Sequence, residues 1–211
     1  MIREGGSWLG PLAKVPAALA SGVDPTYPLG PDAPGLVEAA LVAPSIFRQM
    51  LEAGADPNVI SPLGRPVLVE ILANHGIGDG KPLVEALVAR GARWDTPTPV
   101  DIGGKSATLP LLLALPWMHR FQLESVFYAL ELWGADPGLT DQWGGNIGHH
   151  MAHQCYYRHH MDRLGALGVD MDQVAQVSEA DLAWAKLSGE WLPSFAGLTP
   201  PQAWAKWWGG R

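Results

Sequence analysis

Three stretches of the chain share one pattern of apolar and polar positions. In "IFRQMLEA" (46–53), "PLVEALVAR" (82–90) and "ESVFYALELW" (124–133), apolar residues recur at offsets of three and four. That spacing predicts amphipathic helices, each with one face to bury. Each stretch runs directly into a glycine: Gly54, Gly91 and Gly134. A glycine in that place predicts a C-terminal cap, because without a Cβ it takes the left-handed conformation that ends a helix. Asp56-Pro57 and Asp136-Pro137 then predict turns. Proline does not continue the helix, and the aspartate side chain bonds to nearby backbone.

The pattern repeats. Gly54-Ala55-Asp56-Pro57-Asn58 has a close copy at Gly134-Ala135-Asp136-Pro137-Gly138. Weaker copies stand at Gly22-Val23-Asp24-Pro25, Gly91-Ala92-Arg93-Trp94-Asp95 and Gly168-Val169-Asp170, with glycine spacings of 32, 37, 43 and 34 residues. Ten residues after the two clearest copies come Gly64 and Gly144, each leading into a second apolar helical run. Asn146 is placed to cap the run after Gly144.

A helix ending in "GADPN", then a turn and a second helix, resembles the ankyrin repeat. "DQWGGNIGHHMA" (141–152) follows that family's D-x-x-G-x-T-P-L-H-x-A-A turn, with Asn146 in the Thr place and His149 in the His place. "SPLGRPVLVEIL" (61–72) follows it more loosely, "LPLLLAL" (109–115) keeps Pro110-Leu111, and "GLTPPQAWA" (197–205) keeps Thr199-Pro200. The resemblance implies an all-α fold, an ankyrin-repeat solenoid of stacked helix pairs with β-turn or hairpin loops. Such a stack works because one helix pair cannot bury its apolar face alone, and here it implies about four to five degenerate repeats with modified end caps. The expected layout is one domain over 1–211, with an N-terminal cap at 1–20, repeats at 21–172, and an insertion with capping helices at 173–211. "NHGIGDGKP" (74–82) and "DTPTPVDIGGKSAT" (95–108) look like insertion loops. A helix over Glu179–Lys186, capped by Ser178, is expected in the extra segment, and Trp204, Trp207 and Trp208 stand at helical spacing as packing residues of a last helix.

Composition adds limits. The chain has 211 residues, 47% of them hydrophobic and 17% charged, with 25 Gly and 19 Pro. That suits a folded domain of many short elements. The formal net charge of −7 argues against nucleic acid or an anionic membrane surface as the target and favours a basic protein. No apolar run is long enough to span a bilayer. The stretch "WLGPLAKVPAALASG" imitates a signal peptide, but Lys14, Pro11 and Pro16 interrupt it. With Cys155 as the single cysteine, a reducing cytoplasmic setting is the simpler expectation.

The strongest cluster of reactive side chains is "HHMAHQCYYRHH" (149–160). His149 and His153, four residues apart, would share a helix face in the spacing of a metal pair. The chain has no H-E-x-x-H, no paired C-x-x-C, and no acidic ligand between these histidines. His149 falls where ankyrin repeats use a structural histidine, and a lone Cys155 on a helix is an ordinary packed residue. "GIGDGK" (76–81) and "GGKS" (103–106) each fall short of a phosphate loop, since Pro99 stands where the first glycine of the second would be. Neither a catalytic centre, a metal nor a cofactor is expected.

The resemblance instead implies recognition of a protein through a concave face made of turn tips and first helices. On this chain that gives Ile60, Pro62, Leu63 and Arg65 from one tip, and Gln142 and Trp143 from another. Asn74, Trp117, His153 and Gln154 come from the first helices, and Trp94 with the loop Thr96–Ile102 projects from the central tip. Trp143 is the expected exposed anchor, as tryptophan is enriched among interface hot spots. The expected function is binding, and inhibiting, a partner as an immunity protein against a basic bacterial toxin does, the chain being monomeric when unbound. A metal-binding or enzymatic protein built on 149–160, or a scaffold or host-directed effector, is the alternative.

Overall fold

The computed structural model describes residues 14–26, 35–118, 123–152, 158–188 and 193–208. Among them are ten helices and one two-stranded sheet. The chain divides into two compact units, Met1–Ala92 and Arg93–Arg211.

In the first unit, α1 (Val15–Ala20) packs on α3 (Pro44–Glu52), and α2 (Leu36–Val42) packs on α3 and α4 (Val67–Val88). Leu36, Phe47, Met50, Val67, Ile71 and Leu87 form the centre of its core. The predicted "IFRQMLEA" helix is the body of α3, which starts with Pro44 at its first turn, where a missing N–H costs nothing. It ends as predicted: Gly54 has φ 98°, Gly54 N–H donates to Leu51 O, and Ala55 N–H donates to Met50 O. This Schellman pattern recurs at Gly22, Gly91 and Gly168, and Gly134 is likewise left-handed, with φ 70°. The turn aspartates act locally, with Asp56 accepting from Asn58 N–H and Asp136 from Gly138 N–H.

The 74–82 stretch is helical, not an insertion loop. α4 runs through it as two helical segments joined at Gly76 (φ 63°, ψ −169°), with Pro82 inside the second. A single glycine absorbs the break and the helix resumes.

The second unit corrects the fold class. Residues 95–108, expected as a loop, carry an antiparallel hairpin of β1 (Pro97–Ile102) and β2 (Lys105–Pro110), paired from Pro97↔Pro110 to Ile102↔Lys105. The chain is therefore mixed α and β, not an all-α stack of helix pairs. The physical reason is local. Gly103 and Gly104 both have positive φ (63° and 84°), as a tight hairpin turn requires, and Asp101 Oδ1 accepts Gly104 N–H. Thr98, Val100 and Ile102 alternate inward against α5 (Leu111–Met118). α5 is apolar all round, with Leu111–Leu115 fully buried. It packs on α6 (Leu123–Glu131) and α7 (Ile147–Ala152). α8 (Arg158–Ala166) and α10 (Pro200–Trp208) follow, and α10 packs on α7 and α8. Trp204, Trp207 and Trp208 are half-buried, and Trp208 Nε1 donates to Ala152 O. α9 (Glu179–Ser188) begins at the expected cap: Ser178 Oγ accepts Asp181 N–H while Asp181 Oδ2 accepts Ser178 N–H.

Candidate functional site

Two turn tips are built alike, eighty positions apart. In the first, Ile60 bridges to Pro66, Ser61 N–H donates to Arg65 O (2.7 Å) and Gly64 N–H donates to Ser61 O. In the second, Thr140 bridges to Asn146, Asp141 N–H donates to Gly145 O (2.9 Å) and Gly144 N–H donates to Asp141 O. A side chain pins each tip from below. Ser61 Oγ accepts the N–H groups of Leu63 and Arg65 and donates to Glu70 Oε1 (3.1 Å). Asp141 Oδ1 accepts the N–H groups of Trp143 and Gly145 (both 2.8 Å), and its Oδ2 meets His150 Nε2 at 3.0 Å. The partner in the helix lies nine residues after the pin in both, so one architecture is held by a Ser–Glu pair and by an Asp–His pair.

The side chains of the first tip face solvent: Ile60 is 46% and Leu63 72% exposed, and Pro62 and Arg65 are exposed beside them. Gln142 is exposed on the second tip. Asn74 is exposed too, its amide donating to Glu70 O one helical turn back. Two aromatic assignments are corrected. Trp143, at only 7% exposure, is no exposed anchor, and Trp94 (6%) does not project from a tip. Trp94 stacks on Trp133 (5.9 Å, 5° between planes) and its Nε1–H donates to Trp133 O, so its role is packing. Trp117 is half-buried, its Nε1–H donating to His150 Nδ1 (2.9 Å). His153, Gln154 and Cys155 lie outside the described residues.

Trp143 is buried because the chain itself covers the second tip. Gln176 N–H donates to Trp143 O (2.8 Å), and Gln173 Nε2 donates to Gly144 O (2.7 Å). Asn146 caps α7 through His149 N–H and also donates its amide to Asp170 O and Gln173 Oε1. From the other side Phe195, fully buried, lies against His149 and His150 (5.1 and 5.2 Å between centroids). Glycines make the room: a Cβ on Gly145 would stand 2.7 Å from Phe195, and one on Gly148 would stand 3.0 Å from Pro200. Sequence reasoning missed Phe195, Gln173 and Glu70. The extra glycines of "GGNIG" were the available sign that another segment approaches there.

The histidines of α7 are structural. Leu198 O only accepts, so His149 Nε2 carries the proton toward it (2.9 Å), and His149 Nδ1 lies 2.9 Å from Asn146 Oδ1 and 3.2 Å from Asn146 N. Trp117 donates to His150 Nδ1, so the proton of His150 sits on Nε2 toward Asp141. Both nitrogens of each ring are thus engaged within the protein. Among the described residues no group of three or more His, Cys, Asp or Glu stands together as a metal site.

Burial holds the His149 imidazolium below the ordinary histidine value of 6.5, against the opposing pull of the Leu198 carbonyl. Unfolding returns His149 to water. Below pH 6.5 the unfolded chain therefore binds a proton that the folded chain refuses, and stability falls as pH drops. His149→Gln keeps a donor toward Leu198 O and removes the titration. Urea denaturation between pH 7.5 and 5 is expected to show a shallower loss for this variant than for the parent, by at most about 1.4 kcal/mol per pH unit. Equal slopes would show that His149 does not carry the dependence.

No protein-family model and no curated protein matches the chain. Among the described residues no helix is long and apolar enough to cross a membrane.

Proposed function

We propose that the chain is a non-enzymatic protein-binding module whose docking surface is the Ile60–Arg65 tip. The observation that carries this is Leu63, 72% exposed at the apex of a turn that Ser61 and Glu70 hold rigid from beneath. A large apolar side chain on a preorganised turn loses little freedom when a partner covers it. The net charge of −7 favours a basic partner through steering and complementarity. Inhibition of a basic toxin enzyme in the cytoplasm, in the manner of an immunity protein, fits that charge and the single cysteine.

Leu63→Asp tests the surface without touching the core. With the partner recovered by affinity capture and then purified, the variant is expected to bind at least about tenfold more weakly, as burial of a leucine contributes roughly 1.5–3 kcal/mol. Hydrogen exchange should show the partner protecting 60–65. Unchanged affinity together with protection elsewhere would remove this tip from the interface.

A further inference from the structure

We propose that the Ile60–Arg65 tip takes an extended peptide segment that donates a backbone N–H to Leu63 O and a glutamine side-chain amide to Gly64 O. The proposal rests on the docking role of this tip and specifies what docks. Its template is inside the molecule. At the equivalent places of the second tip, Gln176 N–H donates to Trp143 O (2.8 Å) and Gln173 Nε2 donates to Gly144 O (2.7 Å). The two tips agree in bridge, turn, pin and helix register, so Leu63 O and Gly64 O face outward as Trp143 O and Gly144 O do. In the second tip these acceptors are filled from the chain's own 170–176 stretch, and the apex side chain, Trp143, is covered. In the first, Leu63 and Gly64 are exposed, and among the described residues nothing donates to their carbonyls.

The differences between the tips define the segment further. Gly145, which admits Phe195, corresponds to Arg65. Arg65 carries the Cβ that at position 145 would stand 2.7 Å from such an aromatic, so the segment at the first tip copies Gln173–Gln176 and not Phe195–Leu198. Asn146, which donates to Gln173 Oε1, corresponds to Pro66, which has no side-chain donor. The incoming amide is therefore held through its N–H alone. Apolar contact with Leu63 and Ile60 supplies the remaining attraction. Binding of a strand-like segment by edge carbonyls and N–H groups is a general mode of peptide recognition.

The test uses the full chain, labelled with ¹⁵N, and a synthetic peptide of residues 170–178, "DMDQVAQVS". Tethered segments work at effective concentrations of about millimolar, so the free peptide is titrated into that range. Saturable shifts are expected at the amides of Ile60, Ser61, Leu63, Gly64 and Arg65. A peptide N-methylated at Gln176 lacks the backbone donor, and one with Gln173→Ala lacks the amide. Each should bind at least about tenfold more weakly, since an acceptor then goes unmet. No shift at the tip, or equal shifts from the N-methylated peptide, overturns the proposal. The docking role is judged apart from this, by the partner's dependence on Leu63. If that dependence holds while the peptide leaves the tip unmoved, the tip docks a partner by other chemistry. If the peptide binds but the partner ignores Leu63, the peptide site stands and the docking role falls.

Discussion

Exchanging His150 for glutamate is expected to destabilise the protein by about 4 kcal/mol, and adding Asp141→Ser should restore most of that loss. His150 and Asp141 are both buried, their side chains 0% and 1% exposed, with Nε2 and Oδ2 3.0 Å apart. A glutamate at 150 sets a second carboxylate against the first away from water, and the two cannot both stay ionised. Asp141 cannot easily withdraw, because its other oxygen holds the N–H groups of Trp143 and Gly145. Serine at 141 removes the clash and still accepts those N–H groups. The same chain shows that this combination works: Ser61 accepts from Leu63 and Arg65 and donates to Glu70 at the corresponding position. The introduced glutamate also offers an acceptor to Trp117 Nε1–H, which otherwise loses His150 Nδ1. A double-mutant cycle in urea should give a favourable coupling of more than about 2 kcal/mol. Additive losses would mean that the two tips are alike in backbone but not interchangeable in their pins.

That interchange also marks the limit of the sequence pattern. The helix ends were legible because a left-handed cap needs glycine whatever surrounds it, and Gly22, Gly54, Gly91, Gly134 and Gly168 all adopt positive φ. The Asn146 and Ser178 caps were legible for the same local reason. The hairpin at 97–110 was written in the Gly103-Gly104 turn and the Thr98-Val100-Ile102 alternation, but the prolines around it gave the impression of a loop. Residues 74–82 misled in the opposite direction. Three glycines and a proline weaken helix propensity, yet packing on α2 and α3 carries α4 through them with one break. At the tips, local chemistry fixes the turn but not what covers it. Leu63 and Trp143 stand at equivalent places, yet the distant Gln173–Gln176 stretch bonds over the second tip, where Trp143 is buried, while Leu63 is exposed.

The adjacent glycines of the second tip separate two ways in which a missing Cβ matters. Gly145→Ala is expected to cost about 3 kcal/mol, because the added carbon would stand 2.7 Å from Phe195 Cε2 and 2.9 Å from Asp141 Oδ2 in a packed interior. Gly144→Ala meets nothing closer than 3.9 Å, but Gly144 has φ 72°, so its cost is about 1–2 kcal/mol of backbone strain. Trimming the aromatic tells them apart. Phe195→Leu opens space over Gly145, so the alanine at 145 should cost less in the Phe195→Leu background than in the parent. The same trimming leaves φ at 144 unchanged, so the cost of Gly144→Ala should be the same in both backgrounds. Denaturation midpoints of the three single and two double variants give the comparison directly. If Phe195→Leu relieves neither glycine variant, the clash at 145 is with Asp141 alone. The pin, and not the C-terminal cover, would then be what excludes a side chain at that position.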